Sequence, residues 1–212
     1  MSEPILQVND FSAAFALDDG LLPAVEGVSF TLMPGQIMGL VGESGSGKST
    51  IAKSILRILS PPGIITGGEI VFQGTNLLKV NDKKMRQLRW QHISMAPQSA
   101  LNSLNPVMTV GAQLNDTLTA HGDLSTHQIQ DRALELMRMV SVDVVHLRSY
   151  PYQLSGGMRQ RVVIAIALAW EPELLIMDEP TTALDVLVER EILTEVLQLQ
   201  KQQGFSILFI TH

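Results

Sequence analysis

Val28, Phe30 and Leu32 alternate with Ser29 and Thr31, the period-2 pattern of a half-buried strand. Pro34-Gly35 marks a turn, and Ile37 to Val41 is a short apolar run of the kind that forms a buried strand. Gly42 to Gly47 is too rich in glycine for regular structure. Lys48 to Leu59 then shows helical spacing at Ile51, Ile55, Leu56 and Leu59, until Pro61-Pro62-Gly63 stops it. The unit is strand, glycine loop, helix. Glu69 to Phe72 and Ile93 to Ala96 predict further strands.

From about Ser99 to Tyr152 the pattern changes to helical periods separated by polar turns, which predicts a helical subdomain inserted in a sheet domain. Leu124-Ser125-Thr126 predicts a helix start, with Ile129, Ala133, Leu136, Met137 and Val140 on one face. Met158 to Trp170 predicts a helix and Leu174 to Met177 a strand. Leu187 to Gln203 predicts a helix through Val188, Ile192, Val196 and Leu199, and Ser206 to Ile210 a last strand. Strands alternating with helices indicate an α/β chain with a mostly parallel, helix-covered sheet.

Composition narrows the chemistry. The chain of 212 residues is 45% hydrophobic, enough for one sizeable core. Only 17% of residues are charged and the net charge is -6, which disfavours nucleic-acid binding by a basic patch. A low charge fraction with a mean hydropathy of +0.19 points to surface covered by a partner. There is no cysteine, so disulfides, thiolate metal sites and a cysteine nucleophile are excluded within these residues. Met1 to Asp10 lacks the blocks of a signal peptide. The longest apolar run, Val162 to Trp170, falls well short of the ~20 residues of a membrane span, so the chain is not expected to cross a membrane by itself.

Gly42-Glu43-Ser44-Gly45-Ser46-Gly47-Lys48-Ser49 satisfies G-x-x-x-x-G-K-[ST] at every fixed position. The glycines let successive backbone N–H groups turn inward around phosphate oxygens, and the next helix offers its N-terminal dipole to the same anion. Lys48 is of a length to reach β- and γ-phosphates, and Ser49 offers a hydroxyl to Mg²⁺. Chance produces this pattern in roughly one chain of this length in a hundred, so the strand before it and the helix after it matter. Leu174 to Met177 supplies a second element, an apolar strand that carries Asp178 to the sheet's carboxyl edge, where it is placed to hold Mg²⁺ through water. Glu179 follows and is placed to orient or deprotonate a water.

Leu154-Ser155-Gly156-Gly157-Met158-Arg159-Gln160-Arg161 resembles the signature of the ATP-binding-cassette ATPases. Ser155 is a good N-cap, and Gly156 and Gly157 expose backbone N–H groups at a helix start. Further matches follow in the family's order. Gln98 resembles the glutamine that senses Mg²⁺ and the attacking water. Ala183-Leu184-Asp185 resembles the loop that crosses to a second subunit, with Asp185 also a helix N-cap. His212 resembles the switch histidine that contacts the γ-phosphate. Phe15 stands where an aromatic stacks on adenine, with Phe11 a competitor, and Thr50 completes the implied nucleotide contacts. Met158 and Ser103-Leu104-Asn105-Pro106 are similar to the oligopeptide, dipeptide and nickel importer subfamily. That subfamily's acidic residue and proline just after the glutamine are absent, because Gln98 leads into Ser99-Ala100-Leu101-Asn102.

The resemblance implies a P-loop NTPase fold of the ABC ATPase type, with a mostly parallel sheet, flanking helices, an N-terminal antiparallel β portion and an inserted helical subdomain. It implies one domain, with a core of about 1–98 and 158–212 and a helical part of about 99–157. The implied function is ATP hydrolysis with Mg²⁺ in an importer of peptides or a related small solute, peripheral to the cytoplasmic face of the inner membrane. The implied partners are a second ATPase subunit, identical or not, and integral membrane permease subunits, with no nucleic acid. Glu179, His212, Gln98 and Lys48 carry the chemistry; Ser49, Gln98 and Asp178 hold the metal. Alternatives are a P-loop kinase or GTPase, which has no need of Ser155 to Gly157, a DNA-repair or translation cassette, and an ATP-binding module with little turnover. Relatives continue past the switch histidine, so this chain is expected to be an incomplete cassette with a handicapped catalytic site.

Overall fold

A computed structural model describes residues 3–98, 103–181 and 184–212. Ser99 to Asn102, which depart from the subfamily pattern, lie outside the described residues, as do Thr182 and Ala183 of the expected crossing loop.

The first strands, β1 (Leu6–Leu17) and β2 (Gly20–Leu32), form an antiparallel hairpin. β3 (Ile37–Val41) leads through the glycine loop into α1 (Lys48–Ile55). β4 (Gly63–Phe72) and β5 (Thr75–Asn76) return to the hairpin, giving an antiparallel sheet of order β2-β1-β4-β5. After α2 (Asp82–Leu88), β6 (Ile93–Ala96) starts the other half of the fold. Helices α3 (Val110–Ala120), α4 (Thr126–Met139) and α5 (Gly156–Ala167) follow, then β7 (Leu174–Asp178), α6 (Val186–Gln203) and β8 (Ser206–Thr211). β3, β8, β7 and β6 make a wholly parallel sheet in that order.

The central strands β7 and β8 of the parallel sheet are covered on both faces, which is why β7 reads as an unbroken apolar run. The buried strand expected at Ile37 to Val41 is instead an edge strand, β3, that leaves Ile37 and Val41 exposed. Leu174 and Ile176 of β7 and Leu208 and Ile210 of β8 pack with α1 and the antiparallel sheet. Leu175, Met177 and Ile207 point the other way, into a core shared with α3 to α6. The period of 2 along each strand separates the two cores. The helical layer therefore buries its apolar stripe against α5, α6 and the sheet.

Several boundaries differ from the sequence expectation. The resemblance implies an N-terminal antiparallel β portion, but the residue pattern does not place β1, because its ladder shifts register between Val8 and Phe11, Phe11 and Ala13, and Ala13 and Ala14, and those irregularities break the alternation. α1 ends at Ile55 rather than Leu59. Arg57 turns left-handed at φ 50, and Arg57 N–H and Ile58 N–H donate to the Ser54 and Lys53 carbonyls, a Schellman closure on a non-glycine residue. α5 starts two residues before Met158, at Gly156, because Ser155 caps it. The expected start of α4 is present as a capping box between Ser125 and Gln128.

Candidate functional site

The parallel order β3-β8-β7-β6 brings four chain segments side by side at one edge. Gly42 to Ser49 leaves β3, His212 follows β8, Asp178 ends β7 with Glu179 next, and Gln98 follows β6. Crevices outside the carboxyl ends of parallel strands are where such sheets bind ligands.

Gly47 is the N-cap of α1, left-handed at φ 88, and no side chain caps the helix. The first N–H groups of α1 are thus left for an anion. A Cβ on Gly47 would stand 2.4 Å from the Ala24 carbonyl oxygen and 2.6 Å from Val25 Cγ2, so only glycine lets the loop seat on β2. Lys48 is buried, and its Nζ donates to the carbonyls of Gly42 at 2.6 Å and Glu43 at 2.7 Å and to Ser46 Oγ at 3.3 Å. The ammonium lies in the loop's own cradle, where its charge can pass from carbonyls to phosphate oxygens. Glu43, Ser44, Gly45 and Ser46 are exposed and Thr50 is half-buried in the first turn of α1.

Ser49 Oγ donates to Asp178 Oδ1 at 3.0 Å. Burial pushes the Asp178 carboxyl above its ordinary value; the Ser49 hydrogen bond opposes this, the neighbouring Glu179 charge adds to it, and Lys53 and Lys48 oppose it. Lys53 was not singled out from the sequence, although its i,i+4 relation to Ser49 on α1 puts both on one helix face. Among the described residues no group of three or more His, Cys, Asp or Glu could hold a metal ion. A hydroxyl and a carboxylate oxygen in contact fit Mg²⁺, which takes few protein ligands and fills its shell with phosphate and water oxygens.

Glu179 is buried, and its Oε2 accepts from Gln98 Nε2 at 2.5 Å and lies 2.9 Å from His212 Nε2. Its backbone is left-handed at φ 47, and its N–H donates to the Ile210 carbonyl at 3.0 Å. A non-glycine residue held there costs about 1–3 kcal/mol, and such strain collects at functional sites. Phe11 is fully buried in the core and Phe15 half-buried, which leaves Phe15 as the aromatic able to meet a ligand. Val25, which borders Gly47, pairs with Ala13, and Phe15 pairs with Leu22 further along the same ladder.

Ser155, Gly156 and Gly157 lie apart from this cluster. Ser155 Oγ accepts from Met158 N–H at 3.2 Å. A Cβ on Gly157 would come within 2.6 Å of Val188 Cγ1, and one on Gly156 within 3.2 Å of Leu184 Cδ2, so α5 starts directly on the start of α6. Asp185 caps α6, accepting from the Leu187 and Val188 N–H groups at 3.1 and 3.0 Å. The depression at this junction contains no residue of the glycine loop and neither Asp178 nor Glu179. One chain thus carries two separate anion-capable helix starts. A largely apolar cavity of about 400 Å³ opens between Leu56, Trp90, Met95, Leu104, Val163 and Pro97, the residue before Gln98.

The chain is 44% identical over 211 residues to a probable peptide ABC transporter ATP-binding protein of Sinorhizobium fredii, covering 98% of this chain and 63% of that protein. It is 44% identical over 211 residues to the oligopeptide transport ATP-binding protein OppD of Bacillus subtilis, covering 98% of this chain and 59% of that protein. The chain thus spans about three-fifths of the length of these curated relatives. Among solved structures it is similar to the ATP-binding cassette MJ0796 in a dimeric, post-hydrolysis state bound to ADP and Pi. The TM-score is 0.86 at 26% identity, over 98% of this chain and 88% of that one. It is also similar to cbiO1 of Clostridium perfringens, part of the ABC transporter complex cbiONQ, with a TM-score of 0.81 at 27% identity, over 100% of this chain and 79% of that one. Residues 25–182 match the ABC transporter family, so the chain, with its glycine loop, its Asp178–Glu179 strand end and its separate serine–glycine helix start, belongs to that family.

Proposed function

We propose that the protein binds and hydrolyses ATP and drives an importer of peptides or a related small solute. The observation that carries the reading is the convergence of Gln98 and His212 on one oxygen of the buried Glu179, beside Asp178 and the glycine loop. Lys48 and the α1 N–H groups hold the phosphates, and Phe15 stacks on the base. Glu179 accepts the proton of the attacking water, Gln98 orients that water, and His212 contacts the γ-phosphate. Ser49, Gln98 and Asp178 would hold Mg²⁺, which would neutralise charge on the phosphate oxygens.

The separation of Ser155 to Gly157 from the glycine loop supports a two-subunit enzyme, in which each subunit's serine–glycine helix start, with Asp185 beside it, closes the other's ATP site. The partner subunit is identical or homologous. Pro97 lines the apolar cavity and Gln98 is the next residue, so a cytoplasmic segment of a permease seated there acts on the residue that meets Glu179. On this reading the protein is a peripheral subunit on the cytoplasmic face of the membrane. No helix among the described residues is long and apolar enough to cross a membrane. Residues 1–98 and 158–212 form the nucleotide-binding core and 99–157 its helical part.

Phosphate release from ATP with Mg²⁺ by the full-length protein tests the reading. Turnover that a co-expressed peptide permease stimulates is expected. Nucleotide binding without any turnover, with or without the permease, leaves an ATP-binding module instead.

A further inference from the structure

Glu179 is followed by a short segment that must turn from β7 into α6. Two residues on, Thr181 is buried, and its Oγ1 donates to Glu189 Oε1 at 2.7 Å. The Thr181 carbonyl accepts from Leu184 N–H at 3.1 Å. Glu189 sits in the first turn of α6, and its own N–H donates to the Asp185 carbonyl at 2.9 Å. The neighbouring Arg161 guanidinium pairs instead with Glu191 and Glu195 further along α6.

We propose that Glu189 is a positioning residue for the reaction: by gripping the Thr181 hydroxyl it ties the chain just after Glu179 to α6 and holds the Glu179 carboxylate where it meets water. The inference rests on the ATPase reading above. Glu179 is left-handed at φ 47, a conformation that persists only when its surroundings over-determine it. The Ile210 carbonyl holds its N–H on one side. On the other side, Pro180 fixes one φ and Thr181 is the next residue with a side chain able to anchor the segment. A helix is a rigid support for such an anchor, and sites built on rigid elements are held more closely than sites on loops.

The same turn of α6 carries Val188, which borders Gly157 of the signature helix. Glu189 thus stands between the water-activating end of one ATP site and the helix start that serves the other. A purely structural reading of Glu189 also exists, since an acidic residue in a first turn complements the helix dipole. The two readings separate on substitution, because glutamine keeps the acceptor oxygen and loses the charge.

The experiment is steady-state ATP hydrolysis by the full-length protein and its Thr181→Val, Thr181→Ser, Glu189→Ala and Glu189→Gln variants. Thr181→Val and Glu189→Ala are expected to lower kcat roughly tenfold with KM for ATP within about twofold, because only the transition-state arrangement is lost. Thr181→Ser and Glu189→Gln should recover most of the rate. The double variant Thr181→Val with Glu189→Ala should be no slower than either single one, since both break the same bond. Wild-type turnover in Thr181→Val, or equal loss in Glu189→Gln and Glu189→Ala, overturns the proposal. A fall in Thr181→Ser equal to that in Thr181→Val also overturns it, since methyl packing is then responsible. Absence of turnover in the unsubstituted protein overturns the ATPase reading itself, and the proposal with it.

Discussion

His212 Nε2 lies 2.9 Å from Glu179 Oε2, the oxygen that also accepts from Gln98. Glu179 directly follows β7, His212 follows the strand hydrogen-bonded on one side of it and Gln98 the strand on the other. Parallel pairing therefore delivers all three to one level with no dedicated loop. On the ATPase reading, a γ-phosphate would enter between the Lys48 loop and a carboxylate that already accepts from Gln98 and meets His212. Such a group loses little orientational freedom during reaction, which is the benefit of preorganisation.

Glu179→Gln should retain ATP binding and lose turnover by about 10²–10⁴, the usual effect of removing a general base. The amide keeps the shape of the carboxylate but does not take a proton at neutral pH. Trapped ATP should hold two subunits together. Light scattering of the full-length variant with ATP and Mg²⁺ checks this, and a purely monomeric sample would contradict the shared-site reading.

Lys48→Ala should weaken nucleotide binding by roughly 10–100-fold, because a hydrogen bond from a charged group contributes about 1.5–3 kcal/mol. The loop also loses the three contacts that Lys48 makes to Gly42, Glu43 and Ser46. Titration with a fluorescent ATP analogue reads the change, and an unaltered Kd would remove the glycine loop from the site.

Gly47→Ala and Gly45→Ala should differ, although both glycines are left-handed, at φ 88 and 82. Nothing lies within 4 Å of a Cβ on Gly45, so that change costs only backbone strain, about 1 kcal/mol. A Cβ on Gly47 meets a backbone carbonyl at 2.4 Å and forces the loop off β2. Its cost should be ~3 kcal/mol or more, a Tm loss of at least about 6 °C for a domain of this size. Thermal unfolding of the two variants without nucleotide separates them, and equal losses would contradict the seating on Ala24 and Val25.

Asp178→Asn should raise the stability of the nucleotide-free protein at neutral pH while it weakens Mg²⁺-dependent nucleotide binding. Burial raises the Asp178 pKa above its ordinary 3.8, so the folded chain holds this proton more tightly than the unfolded chain. Its contribution to stability is therefore greatest below 3.8 and falls as pH rises from there through the raised value. Asparagine is neutral throughout and also relieves the repulsion from Glu179. A Tm gain of about 2–4 °C at neutral pH, shrinking as pH drops toward 4, is expected for each kcal/mol relieved. A gain that is constant with pH would show that ionisation is not its source.

Gly42 to Ser49, the apolar run into Asp178–Glu179 and the cap at Ser155 were legible in the sequence because each is local. A phosphate loop needs glycines and a lysine at set spacing, a buried strand needs consecutive apolar residues, and a helix start needs a capping oxygen. The same locality made the α/β alternation and the start of α4 at Ser125 readable. Local pattern did not reveal β1, whose bulges interrupt the alternation, or the early end of α1, where Arg57 takes the left-handed position usual for glycine. The family resemblance implied an antiparallel portion beside a mostly parallel sheet, but tertiary structure alone decided the strand orders β2-β1-β4-β5 and β3-β8-β7-β6, because strand pairing depends on contacts distant in sequence. It also decided that Gln98 and His212 share one oxygen of Glu179 and that Thr181 is gripped from α6. Gln98 and His212 lie far from Glu179 in sequence, and only parallel pairing to the same central strand brings them to it.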